Sequence, residues 1–133
     1  MRYKIREWID PRTNVGAFEE GYDALIEPGD SKCDDRLRYL RDQPPQMWRD
    51  PHAKKLSWEC DEDCKDIYEI RFKSNNLQQR PMGYFGPGSD EFTVVIWVTH
   101  KERHSVSNFC AKAKQRWADV RAGRVATKEV EID

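Results

Sequence analysis

An apolar run from Val94 to Val98, extended by Thr99, ends abruptly in His100, Lys101, Glu102, Arg103 and His104. Imidazoles exchange protons near neutral pH, and lysine and arginine hold charge against anions, so this exit gathers titratable and cationic side chains. Two readings fit it: a catalytic edge, or a solvated strand-to-helix turn. A second constellation is Cys60-x₃-Cys64 with His100-x₃-His104. It holds the ligand types of a Cys₂His₂ zinc site, but 35 residues separate the pairs where a zinc finger has about 12. The acidic neighbours Asp61, Glu62 and Asp63 fit an exposed loop equally well, and no metal is assigned.

The elements that must position these residues follow from periodicity. "MRYKIREWI" sets Tyr3 and Ile5 against Arg2, Lys4 and Arg6, the alternation of a strand with one wet face. Val15, Phe18, Tyr22, Leu25 and Ile26 repeat at helical spacing behind Asn14 as N-cap. Cys33, Leu37 and Leu40 mark a second helix, ending before Pro44. Residues 44–66, with three prolines and "ECDEDC", read as a connecting segment. In "IYEIRFK", Tyr68, Ile70 and Phe72 alternate with Glu69, Arg71 and Lys73, which leaves Arg71 and Lys73 on one wet face. "SNNLQQ" reads as turn, "RPMGYF" as a neighbouring strand, and "FTVVIWVT", apolar on both faces, as the centre of the sheet. Val106, Phe109, Cys110, Ala113, Trp117 and Val120 form the stripe of a last helix. The sum is an α+β fold: a small antiparallel sheet with two N-terminal helices and one C-terminal helix on one face, the other face free. Residues 1–124 form one domain and 125–133 a short tail, either a weak strand or disordered.

Composition sets the limits. The 133 residues are 38 % hydrophobic and 35 % charged, with five each of Trp, Tyr and Phe for a core. Trp97 and Trp117 are read as core. Residues 1–64 carry 11 Lys/Arg against 15 Asp/Glu, whereas residues 65–124 carry 11 against 6. A net charge of −1 thus hides a basic second half able to attract phosphates locally. On the last helix Lys112, Lys114, Arg116 and Arg121 read as a solvated face. Four cysteines are too few for a disulfide scaffold in a chain of this size, so reduced thiols are expected. No apolar run reaches the roughly 20 residues of a membrane span, and the charged start lacks a signal-peptide core, which predicts a cytoplasmic protein.

Residues 67–117 carry an ordered set: "IYEIRF", then Arg80 with "GYF", then "VVIWVTHKERHSV", then "AKAKQRW". The set resembles the RelE/ParE superfamily of toxin-antitoxin proteins, particularly its HigB-like and phage-associated members. His100 and Lys101 stand where the family pattern has two lysines, and Pro81 interrupts the Arg-bearing strand.

The resemblance implies a type II toxin that cleaves mRNA on the ribosome without a metal or other cofactor and is neutralised by a cognate antitoxin. Its site residues would be His100 for proton transfer, Arg80, Arg71 and Lys101 around the phosphate, and Lys73, Tyr84 and Arg103 on the RNA. Within the same resemblance, the alternatives are a catalytically silent binding protein on the same fold and a gyrase-directed ParE-like toxin. His100 and Lys101, being adjacent, cannot both face the substrate from a regular strand, so the strand must end or bulge there, or only one of them serves.

Overall fold

The computed structural model describes residues 2–56, 62–74, 76–100 and 108–132. In chain order the elements are β1 (Lys4–Trp8), α1 (Ala17–Asp23), α2 (Gly29–Leu40), β2 (Ala53–Lys55), β3 (Tyr68–Ile70), β4 (Phe72–Ser74), β5 (Leu77–Phe85), β6 (Glu91–His100), α3 (Phe109–Arg121) and β7 (Thr127–Glu129). Short 3-10 turns lie at Pro45–Met47 and Glu62–Cys64.

The α+β class holds, but the sheet is larger than expected and mixed. Seven strands form it in the order β2-β3-β5-β6-β1-β7, with β4 also pairing β5. β1 runs parallel to β6, and the remaining pairings are antiparallel. β3 and β4 keep one register along β5, Glu69 opposite Met82 and Phe72 opposite Gln79. They are one strand interrupted where Pro81, which has no N–H, stands on the partner. β6 lies between β5 and β1, which is why it is apolar on both faces.

The helices do not share one face. Glu7, paired with Val94, accepts hydrogen bonds from the backbone N–H of Phe18 and Glu19 and so caps α1. Phe18 packs edge-on against Trp97, and Phe72 packs against the same indole. Phe92 and Phe85 meet Trp48 on this side. Tyr84, the neighbour of Phe85 along β5, points the other way and stacks on Trp117 of α3, with ring centroids 4.8 Å apart and planes 7° from parallel. α1 and α2 therefore cover one face and α3 part of the other. This corrects the expectation of a free face: a helical stripe shows that α3 buries a side, not which side of the sheet receives it.

Other expectations move by a few residues. α1 begins at Ala17 rather than after Asn14, whose φ of 62° closes the preceding turn instead. Gly16 takes the N-cap position, and a Cβ there would lie 1.7 Å from Glu7 Oε1, so a larger residue would have to displace that carboxylate. β2 lies inside the segment read as a connection, and Leu77–Gln79, read as turn, is strand. Within the tail, β7 pairs with β1, and the Val130 N–H donates to the Ile5 carbonyl.

The expectation of reduced thiols is overturned: Cys64 and Cys110 form a disulfide that ties the Glu62–Cys64 turn to the first turn of α3. Cys33 is free and buried, and burial pushes its thiol pKa up, which keeps it protonated and inert. Among the described residues no helix is long and apolar enough to cross a membrane.

Candidate functional site: a cationic face on β3–β6

Strand register decides which predicted residues meet. Across the sheet, Lys73 lies opposite Gln78 and Gln78 opposite His100. One rung further, Arg80 lies opposite Val98, and the pairings on either side place Arg71 across from Arg80. The next rung is Lys54, Glu69, Met82 and Ile96. Directly opposite residues share a face, and so do residues two apart on one strand. Arg71, Lys73, Arg80 and His100 are therefore neighbours on the face opposite α1 and α2, with diagonal pairs about 7–8 Å apart. The next residues along two of the strands confirm the sense. Gln79 points to the helical side, where its amide oxygen accepts from the Trp97 indole N–H at 2.9 Å, and Phe72 packs on the same ring.

Two arginines directly opposite one another repel. Glu69 answers this repulsion. Its Oε1 accepts from Arg80 Nη1 at 3.1 Å and lies 3.3 Å from Arg71 Nε, while Arg71 Nη1 also donates to Asp50. The Glu69 side chain is 1 % exposed, that of Arg80 14 % and that of Arg71 26 %. Burial raises the Glu69 pKa, with Arg80, Arg71 and Lys54 opposing. A carboxyl so enclosed does not reach a substrate; what it does is fix both guanidiniums at the base of the face. Arg36 braces the same corner from α2, donating to the carbonyls of Pro51, His52 and Arg71. Lys73 is exposed and His100 half-buried, so both are within reach of a ligand laid on the sheet.

Not every predicted residue belongs here. Tyr84 is buried, stacked on Trp117, and its hydroxyl pKa is pushed up to about 12 by burial and then by Asp66 and Asp63. It is packing, not a platform for a base. Lys101 and Arg103 lie outside the described residues. So do Cys60 and His104 of the zinc reading, and Cys64 is spent in its disulfide. Among the described residues no three His, Cys, Asp or Glu side chains are placed to hold a metal. Asp50, Lys54 and Gln78 were missed because the first two fall in the segment read as a connection and the third in a stretch read as turn. Glu69 was legible as a local ion-pair partner of Arg71, which it is, but not as a buried carboxylate that also holds Arg80.

The fold and this face define a mixed α+β domain with a cationic sheet surface anchored by a buried carboxylate. Comparison with family models, with curated proteins and with solved structures finds no match.

Proposed function

We propose that this face binds and cleaves RNA, and that the chain is a toxin of the RelE/HigB kind: a metal-independent endoribonuclease acting on mRNA at the ribosome and silenced by an antitoxin protein. The observation that carries the reading is the placement of Arg71, Arg80, Lys73 and His100 on consecutive rungs of one face. In the reaction the 2′-oxygen attacks the adjacent phosphorus, the bond from phosphorus to the 5′-oxygen breaks, and a cyclic phosphate remains. The 2′-hydroxyl proton goes to a base, and the departing 5′-oxygen takes one from an acid. His100 is the proton carrier on this face. Arg71 and Arg80 hold the charge that builds on the equatorial oxygens, and because Glu69 has already fixed them, little reorganisation is left for the reaction itself. Lys73 meets the neighbouring backbone phosphate.

One observation favours a silent binding protein instead: Glu69 and Asp50 already occupy guanidinium donors that a phosphate would use. A single assay separates the two. Purified protein incubated with mRNA, free and on ribosomes, in a chelator is expected to leave cyclic-phosphate ends, and His100→Ala is expected to slow cleavage by about 10²–10⁴-fold with an unchanged circular-dichroism spectrum. RNA left intact by the wild type in both settings overturns the nuclease. Inhibition of DNA supercoiling by gyrase would then select the ParE-like alternative.

A further inference from the structure

Among the described residues, the β5–β6 pairing has a break in phase, and it lies between the core of β6 and His100. Gly83 pairs with Val94 but Met82 with Ile96, so Val95 is an extra residue, a β-bulge. Its consequence is visible in the side chains. Phe92 and Trp97 differ by an odd number, yet both face the helices, Phe92 against Trp48 and Trp97 against Phe18. In an unbroken strand the even-numbered residues would all follow Phe92 and Val94 under α1 and α2, His100 among them. The bulge reverses the sense, and His100 emerges opposite Gln78 on the arginine face.

A bulge leaves a backbone group outside the ladder, and a buried carbonyl must find a donor. β1 offers none here, since its pairing with β6 stops at Glu7 opposite Val94. Arg116 of α3 supplies it: Nη1 donates to the Val95 carbonyl at 2.9 Å, and the guanidinium lies 4.0 Å over the Trp8 ring. Burial lowers the Arg116 pKa, with Asp10 and Glu20 opposing, so the charge sits there against a solvation cost. On the other strand, Gly83 allows the close approach: a Cβ there would lie 1.9 Å from the Thr93 carbonyl oxygen.

We infer that Arg116 is a positioning residue for the site: by clamping the Val95 bulge, with Gly83 beneath, it sets the strand phase that delivers His100 to the face of Arg71 and Arg80. The catalytic consequence rests on the nuclease reading; the geometric one does not.

The test uses the full chain carrying Arg116→Met, which keeps the stem over Trp8 and removes the donor, and Arg116→Lys, which restores one. In the wild type, nuclear Overhauser contacts are expected from the His100 ring to Gln78 and Arg80. Arg116→Met should weaken them and speed amide exchange across residues 95–100 at least tenfold, while the Tyr84–Trp117 contacts persist. Arg116→Lys should recover most of the pattern. Cleavage should fall about 10–100-fold in Arg116→Met and be rescued in Arg116→Lys. Wild-type His100 contacts to the helical face instead, or contacts and exchange unchanged in Arg116→Met, overturn the inference. An Arg116-dependent pattern in a protein that cuts no RNA overturns the nuclease reading alone. If Arg116→Met does not fold, Arg116→Gln, too short to reach the Val95 carbonyl, read by the same contacts decides: unchanged His100 contacts overturn the inference, and weakened ones support it.

Discussion

Glu69→Ala is expected to destabilise the protein by about 3–5 kcal/mol, because it leaves two arginines without the charge that lets them sit side by side. The reason is not that the carboxylate is comfortable. Its pKa is raised, since the cost of burial exceeds what Arg80 and Arg71 return. The cost of the substitution comes from Arg80, whose guanidinium is 14 % exposed and whose Nε is already buried without a hydrogen-bond partner. Two results follow. Glu69→Leu combined with Arg80→Met should recover most of the loss, so that a double-mutant cycle returns a coupling of more than about 1 kcal/mol. The pH dependence also has a fixed sign. A folded pKa above the unfolded one means that the native state holds this proton where the unfolded chain has lost it. The contribution is therefore full below the ordinary carboxylate value and declines as pH rises through the raised folded value. Denaturant titrations of wild type and Glu69→Gln from pH 4 upward should show the wild type losing stability relative to the glutamine variant. Parallel curves, or an alanine variant as stable as wild type, would show that Glu69 does not anchor this face.

The same residues show how far periodicity reaches. Alternation in "MRYKIREWI" and "IYEIRFK" and the stripe of the last helix located β1, the β3–β4 strand and α3, since each has one apolar side. Partner direction leaves no such trace, so the parallel pairing of β1 with β6 was not legible. β2 is only Ala53–Lys55, too short to alternate, and it lies among prolines. Leu77–Gln79 looked like turn because Gln79, buried on the helical side, is satisfied by the Trp97 indole rather than by being apolar. The site was half legible: Arg71 and Lys73 follow from alternation, but His100 does not. "VVIWV" is apolar on both faces, so a one-residue slip inside it changes no pattern while reversing every side chain after it. The requirement that β6 end or bulge at His100 and Lys101, or that only one of them serve, falls partly on Lys101, outside the described residues; the bulge at Val95 is a different one and sets only the face that His100 takes.

Reduction of the Cys64–Cys110 bond is expected to cost about 4 kcal/mol, the chain-entropy value for a loop of this length, the bridged residues being 46 apart in sequence. The Glu62–Cys64 turn is three residues long, and the exposed ion pair of Asp63 with Lys114 at 3.1 Å also joins it to α3, a contact worth about 0–1 kcal/mol. Among the described α-helices α3 is the one on its face, with Arg116 and Trp117 reaching the sheet from its middle and Cys110 tying down its first turn. Removing the bond should therefore loosen the N-terminal turn of α3 first, and the bulge clamp only if the loosening spreads to Arg116. Cys64→Ala/Cys110→Ala, or wild type in excess reductant, should melt about 10–20 °C lower than the oxidised protein, with amide protection lost earliest at residues 109–113. Cys33, buried and protonated, should not substitute for either partner. A melting temperature indifferent to reductant, with both thiols alkylated in the folded protein, would refute the bond. A lower melting temperature with unchanged His100 contacts would separate the staple from the bulge clamp, making the disulfide a device of stability and Arg116 one of site geometry.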